Sequence, residues 1–592
     1  QGDNIDFLIG VSNSSMLEQW RLKLNAELQE AADLYPNLST VFTDAASSPD
    51  KQIKDIETLM GFGIDLLIIS PCDVEALTPV ISRIYEIIPV IILDRVIDGY
   101  DYTLFIGPDN DNIGRLGARA LNNILGPQGG FILEISGPGD QLYSKVRSRG
   151  LNREIEEKYH NITIADQLFV FPQTRDNAED LLLSYSSKLD GIDAIYTHSD
   201  GLALGVSRAL MKLGREDIPI VGTDGLTGEN GGFELVQKGL IHSSIESSTG
   251  GKEAIQYALD ILKKRNGVPK QIILKSQIVN RSNLSDVYDL KENEIKRSDK
   301  PITLGYAQVG TESSWRVSNT KSIVQAAKEF DIELIYRDAD QNQETQIKHL
   351  REFIKVGVDV ILLSPIIEEG YNDILKEAKN AGIPVLLSDR KINNDDEDLY
   401  STFIGGDFKE EGRRAARWIQ KNFSRRETRI LELQGTPGAT PTEERRDGFS
   451  EIIDEEDNLQ IVYSRSGYFT EEQGYQIIIK YITDHYPLDI DVIYAHNDDM
   501  ILGAIKALKE KGIVPGKDVK LISVDGTLPA MNALKKGEMN FLVECTPLLG
   551  NQVMTAVVDV MDGKDLPMRI VTDERTFTTD QVDDNLIRGR SY

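Results

Sequence analysis

Short apolar runs alternate with longer amphipathic stretches along the whole chain. In the first half the runs include DFLIGVS, DLLIIS, PVIILD, TLFIG, GFILEIS, DAIYTH and PIVGTD. Between them lie stretches such as MLEQWRLKLNAELQEAADLY and NAEDLLLSYSSKL. β-branched runs that are apolar throughout predict strands covered on both faces, as in parallel sheets, and the amphipathic stretches predict the covering helices. About ten strands per half exceed the ~6 of one doubly wound sheet, so each half is expected to hold two α/β lobes. The chain is expected to cross between lobes near Phe105–Arg115 and to return near Glu246 and Asn280.

The pattern is also written twice. QIKDIETLMGFGIDLLIISP (Gln52–Pro71) returns as QIKHLREFIKVGVDVILLSP (Gln346–Pro365). AIYTHSDGLALG (Ala194–Gly205) returns as VIYAHNDDMILG (Val492–Gly503), and the offset stays near 295 residues. A repeat this long is a domain rather than a solenoid unit. The expected organisation is a first module over 1–288, a charged aperiodic linker at Asp289–Lys300, and a second module over 301–592.

Composition narrows the chemistry. The 592 residues carry 65 basic and 95 acidic side chains, a formal net charge of −30. A surface that acidic repels nucleic acid and anionic membranes. The two cysteines, Cys72 and Cys545, occupy non-equivalent places in the two halves. That count speaks against a disulfide framework and against a Cys-ligated metal site. No apolar run approaches the ~18–20 residues that span a bilayer. The start at Gln1-Gly2 is expected of a processed or trimmed form. Phosphate-loop, dinucleotide, zinc-protease and nucleophile-elbow motifs are absent from the sequence, so neither cofactor nor metal is expected.

Polar residues recur where apolar runs end: Asp94-Arg95 and Asp389-Arg390, Asp224 and Asp525, Glu246 and Glu544, with Glu134 and Glu432 within strands. Ligands of open α/β sheets bind outside the carboxyl ends of the strands. Carboxylates accept paired hydroxyl hydrogen bonds, guanidinium donates a planar fork, and the indoles of Trp20 and Trp315 suit the C–H face of a sugar ring. The set therefore suits a neutral polyol. The competing readings are plain strand-end ion pairs and a glycosidase that uses the paired acids. His198 and His496, at matching positions after a strand, are expected to be structural.

GYAQVGTESSWR (Gly305–Arg316), VGVDVILLSP, IPVLLSDR, LELQGTPGA, YAHNDDM, VDG and VECTP carry a resemblance. Over Pro301–Tyr592 the chain resembles the type I periplasmic sugar-binding proteins, particularly their galactofuranose-binding branch. The resemblance implies two Rossmann-like lobes with parallel sheets joined by a hinge, in tandem modules. It also implies a furanose-form sugar held by Glu312, Trp315, Arg316, Asp338, Asp389, Arg390, Arg445, Asn497, Asp525 and Glu544. The first half resembles the periplasmic sensor domains of hybrid two-component regulators of carbohydrate use. Trp20, Arg21, Asp44, Asp94, Arg95, Arg147, Asp224 and Glu246 match its site positions.

That half also departs from the pattern: Ser199 stands for Asn497, Ser136 for Gln434 and Ala46 for Asp340. Each lost amide contact is worth roughly 1 kcal/mol net, so different specificity, weaker affinity or an empty site is expected there. The implied protein is bacterial and extracytoplasmic, and non-catalytic. It would close on a small neutral sugar and signal to a membrane partner, an ABC permease or a fused transmembrane kinase. Homodimerisation is left open. A LacI-type regulator shares the fold but needs a basic helix-turn-helix ahead of the first strand, where only Gln1–Ile5 stand.

Overall fold

The computed structural model of the protein describes residues 6–138, 142–265, 267–287, 300–393, 397–424, 426–485 and 487–592. The chain divides into two compact units, Gln1–Glu294 and Ile295–Tyr592. Apart from Lys300, the expected linker Asp289–Lys300 lies outside the described residues.

In the first unit, one lobe is a parallel sheet in the order Leu38–Asp44, Phe7–Asn13, Leu66–Ile69, Val90–Leu93, Leu104–Pro108, Gln271–Leu274. The other lobe is ordered Ile162–Phe169, Gly130–Ser136, Ala194–Thr197, Ile220–Asp224, Ser243–Glu246, Ile278–Asn280. The second unit repeats both sheets. Its first lobe runs Glu333–Asp338, Thr303–Gln308, Val360–Leu363, Val385–Ser388, Thr402–Gly405, Arg569–Val571. Its second runs Leu459–Ser466, Thr428–Gln434, Val492–Ala495, Lys520–Asp525, Phe541–Glu544, Thr576–Thr578.

The central strands, such as Leu66–Ile69 and Val360–Leu363, are buried at every residue, which is why they read as unbroken apolar runs. One expectation needs correcting. The edge strands Ile278–Asn280 and Thr576–Thr578 are antiparallel to their neighbours. Each follows directly on a strand of the opposite lobe, with no helix in the connection to reverse the chain. The last crossing in the first unit therefore falls at 275–277, ahead of Asn280, whereas those expected near Phe105–Arg115 and Glu246 stand.

The outgoing crossing matters for the site. Beyond Thr402–Gly405 the chain enters the helix Phe408–Asn422, capped by Asp407. That helix packs against Thr440–Ile453 with the two backbones touching. A Cβ on Gly412 would lie 2.2 Å from the Arg445 carbonyl, and one on Gly448 would lie 1.9 Å from the Lys409 carbonyl. Glycine is required at both places, and this contact fixes where Arg445 stands. Gly114 and Gly150 do the same for Arg147 in the first unit.

Candidate functional site

In the second unit, strands of both lobes end at a common cleft. A pocket of about 310 Å³, counting space open to solvent, is lined there by Glu312, Trp315, Arg316, Asp389, Arg390, Arg445, Asn497 and Asp525, together with Ser313, Pro441, Phe469 and Cys545. Eight of the ten residues expected there are thus brought together from strand ends and helix starts far apart in sequence. Trp315 and Arg316 open the helix Ser314–Glu329 beneath the Ser313 cap. The indole N–H of Trp315 is spent on the Cys545 carbonyl at 2.7 Å, so a ligand would meet only the ring.

The ion pairs form a chain rather than isolated couples. Arg316 donates to Glu312 at 3.0 Å and pairs with Asp389 at 2.8 Å, and Arg390 lies 3.7 Å from Glu312. Burial works against the charge on Glu312, but Arg316 and Arg390 hold it below the usual carboxylate range. Burial and the Arg316 cation lower Arg390 to about 10. Arg390 donates to the Ile366 carbonyl at 2.7 Å and lies over the Phe469 ring. Arg445 donates to Glu411 at 2.6 Å and to the His496 carbonyl at 2.6 Å. Glu312 Oε2 and Arg390 Nε are buried and have no hydrogen-bond partner among the described residues. An acceptor and a donor thus stand unspent in the cleft.

Backbone conformation aims the acids. Asp389 has φ 63° and Asp525 has φ 134°, and Asp94 and Asp224 repeat this at 69° and 108°. Non-glycine residues adopt such angles at a cost of about 1–3 kcal/mol, which is tolerated where the surrounding structure over-determines them, commonly at functional sites. The Asp525 turn is held by Asp498, whose carboxylate accepts from the backbone of Gly526 at 2.8 Å and Thr527 at 2.7 Å. Burial pushes the Asp498 acid up to about 6, and burial with the Asp498 charge pushes Asp525 well up.

Two expected residues stand outside the lining. Asp338 turns its Oδ1 to the backbone N–H of Asp340 at 2.7 Å. Glu544 is buried on Arg590 at 2.6 Å and accepts from the Arg575 backbone at 3.1 Å. Adjacent residues leave a strand on opposite sides, so Cys545, rather than Glu544, faces the cleft. With both removed, the lining holds three acids (Glu312, Asp389, Asp525) and three arginines (Arg316, Arg390, Arg445). The ten expected residues held five acids and three arginines, and that excess becomes a balance. Glu432 is likewise occupied elsewhere, accepting from His496 at 2.9 Å, while Glu134 accepts from His198 at 2.8 Å.

Sequence reasoning passed over Phe469, which sits in a loop at φ 62°. It also passed over two residue pairs that bond across the cleft. Ser314 donates to Asp499 through its backbone N–H at 2.9 Å and its hydroxyl at 2.7 Å, and Lys391 pairs with Glu444 at 2.6 Å.

The first unit keeps part of this frame. Trp20 donates to the Ser247 carbonyl at 2.9 Å, and Arg21 pairs with Asp94 at 2.7 Å. Arg95 and Arg147 both lie over the Tyr143 ring, and Arg147 donates to the His198 carbonyl at 2.8 Å. Asp44 is turned to the Ala46 backbone at 2.8 Å, and Glu246 accepts from Gln277 at 2.7 Å, as their counterparts Asp338 and Glu544 are occupied in the second unit. Asp224 ends its strand half-buried, its acid raised by burial and by Asp200. Leu17, 83% exposed, replaces Glu312, and the next residue, Glu18, acts on Arg21 through its charge without an ion pair to it among the described residues. Ser199 keeps the helix-capping bond of Asn497, to Leu202 at 3.1 Å, but has no amide to offer a ligand.

The profile of the periplasmic binding protein domain matches residues 9–266 and again 305–565, and the chain belongs to that family. It is 38% identical over 278 residues to the galactofuranose-binding protein YtfQ of Escherichia coli (strain K12), covering 47% of this chain and 87% of that protein. It is 31% identical over 280 residues to the fructose import binding protein FruE of Bifidobacterium longum (strain NCC 2705), covering 46% and 84%. A solved structure from Mycobacterium smegmatis in complex with β-D-fucofuranose is 45% identical, covers 48% of this chain and 92% of its own, and superposes with a TM-score of 0.47.

Proposed function

We propose that the second unit binds an uncharged, furanose-form sugar between its lobes and that closure over the sugar is its output. The observation that carries this reading is the composition of the cleft. Three acids face three arginines around one cavity, with Glu312 Oε2 and Arg390 Nε buried and unspent. A neutral polyol supplies both hydroxyl donors and acceptors to such groups and adds no charge that would need a counterion. The faces of Trp315 and Phe469 supply apolar walls for its C–H surface. The names of the curated relatives, for galactofuranose and for fructose import, point the same way.

In this reading Glu312, Trp315, Arg316, Asp389 and Arg390 are offered by the first lobe, and Arg445, Asn497 and Asp525 by the second. A sugar touched by both lobes shifts the hinge toward the closed state. The closed shape is read outside the cytoplasm by a membrane partner. The import-binding relatives support an importer's permease, and a duplicated cleft supports a transmembrane kinase. No covalent step is required: Glu312 Oε1 and Asp389 Oδ2 are held in ion pairs with Arg316.

The test is calorimetric titration of the full chain with arabinose, galactose, fructose and the anionic galacturonate. Neutral sugars should bind, and Trp315→Ala should weaken the best of them more than tenfold. Preference for galacturonate, or unchanged affinity in Trp315→Ala, would overturn the reading. Turnover of aryl glycosides that disappears in Asp389→Asn would establish an enzyme instead.

A further inference from the structure

The second unit's lobes are joined by three crossing segments, and each places one metal-binding side chain at the same point. Glu411 follows the outgoing strand Thr402–Gly405. Cys545 follows Phe541–Glu544, and Glu574 lies between Arg569–Val571 and Thr576–Thr578. One ligand atom from each lies within 4.8 Å of the other two. At the matching positions the first unit carries Ile113, Ser247 and Ser276, so the cluster is not an inherited part of the fold.

A second observation points to a ligand. The Glu411 side chain is 1% exposed, its Oε2 is taken by Arg445 at 2.6 Å, and its Oε1, with no nitrogen or hydroxyl donor among the described residues, faces the Glu574 carboxyl. That oxygen faces the cluster. A methyl group on Gly406 would come within 2.7 Å of Glu411 Oε1 and 2.6 Å of Glu574 Oε1. Only glycine leaves the space over its Cα to the two oxygens.

We propose that Glu411, Cys545 and Glu574 form a binding site for a thiophilic divalent cation, with Zn²⁺ as the fitting case, at the hinge of the second unit. Two carboxylate oxygens and a thiolate are a borderline-soft donor set, suited to Zn²⁺ and too poor in oxygen for Ca²⁺ or Mg²⁺. Zn–O and Zn–S bonds of about 2.0–2.3 Å put tetrahedral ligand atoms roughly 3.3–3.8 Å apart, so a contraction of about 1 Å closes the triangle. The expectation that no cysteine holds a metal came from counting cysteines, and it did not foresee two acids folded beside one.

The charges balance. Without the ion, burial and the facing Glu411 carboxylate push the Glu574 acid well up, and burial with the Glu411 and Glu574 charges pushes the Cys545 thiol up. The other charges around the cluster are Arg445 on Glu411, Arg414 on the Glu574 carbonyl at 2.9 Å, and Asp525 beside Arg445. Two carboxylates and a thiolate around one Zn²⁺ leave a single negative charge, which Arg445 on Glu411 offsets, and because the thiol must lose its proton to bind, affinity should fall on acidification.

The experiment uses the full chain, stripped with a chelator and titrated with Co²⁺ and then Zn²⁺ alone. One equivalent of Co²⁺ should produce a near-ultraviolet thiolate-to-metal band with release of the thiol proton, and Zn²⁺ should bleach it by displacement without further proton release. Cys545→Ser should abolish the band, and Gly406→Ala should weaken binding at least tenfold with both ligand acids intact. Cys72→Ser should leave the band unchanged, and circular dichroism verifies that each variant is folded. Absence of the band, or a band that survives in Cys545→Ser and vanishes in Cys72→Ser, would overturn the proposal. Cys545 also lines the cleft, but the Co²⁺ band reads the metal alone, so a failure of sugar binding leaves this result separate.

Discussion

The hydroxyl of Ser314 donates to Asp499 Oδ1 at 2.7 Å, and the two residues start helices on opposite lobes of the second unit. Their bond links the two lobes across the cleft. At the matching place in the first unit stands Gly201, which cannot make it. Burial raises the Asp499 acid, and the two Ser314 donors offset that.

Asp499→Ala removes this latch without touching the cavity lining. Two hydrogen bonds to a partly exposed carboxylate are worth about 1–2 kcal/mol, so sugar affinity should fall about 5- to 30-fold. The order of preference among sugars should not change. Calorimetry against the same panel checks both statements, and an altered order would place Asp499 in the site itself.

Arg316→Met should cost more than binding. It leaves Glu312 and Asp389 buried with their principal counterion gone, and stability should drop by about 3–5 kcal/mol. Arg316→Lys keeps the charge and loses the fork, so it should fall between the two. Chemical denaturation of the three proteins gives the order directly.

In the first unit, loss of the Glu312 and Asn497 equivalents should show in affinity. The Trp315→Ala full chain isolates that cleft, and its titration should give weaker binding, a different preferred sugar, or no heat. Affinity equal to the intact second cleft for the same sugar would contradict this.

Acid should act through Glu432 and His496. Burial keeps His496 below its ordinary value and therefore neutral, and its hydrogen bond to Glu432 lowers that acid to about 2 against the opposing effect of burial. A depressed carboxylate stabilises the fold above its unfolded value of about 4.5 and loses that contribution as pH falls toward 2, about 3 kcal/mol in all. The histidine adds a loss of the same sign below about 6.5, where only the unfolded chain gains its proton. The stability gap between wild type and Glu432→Gln should be constant from pH 7 to 5 and narrow below 4.5. A gap that widens on acidification would contradict the pairing.

The two-lobed fold was legible because buried parallel strands such as Val360–Leu363 leave unbroken apolar runs, and the duplication because those runs recur in order. The edge strands Ile278–Asn280 and Thr576–Thr578 were not, since three residues carry no period. Most of the cleft was legible because Asp389, Arg390 and Asp525 end strands. Glu544 was misplaced because strand ends do not say which of two neighbours turns inward, and the answer here is Cys545. Phe469 and the positive φ of Asp389 and Asp525 depend on tertiary structure alone.

A crystal structure of the full chain grown with its best-binding neutral sugar tests the central claim most directly. The sugar should lie in the second unit between Trp315 and Phe469, with hydroxyls on Glu312 Oε2, Arg390 Nε and the Asn497 amide. A sugar bound elsewhere, with Arg316, Arg390 and Arg445 unchanged in their ion pairs and the cleft empty, would contradict it.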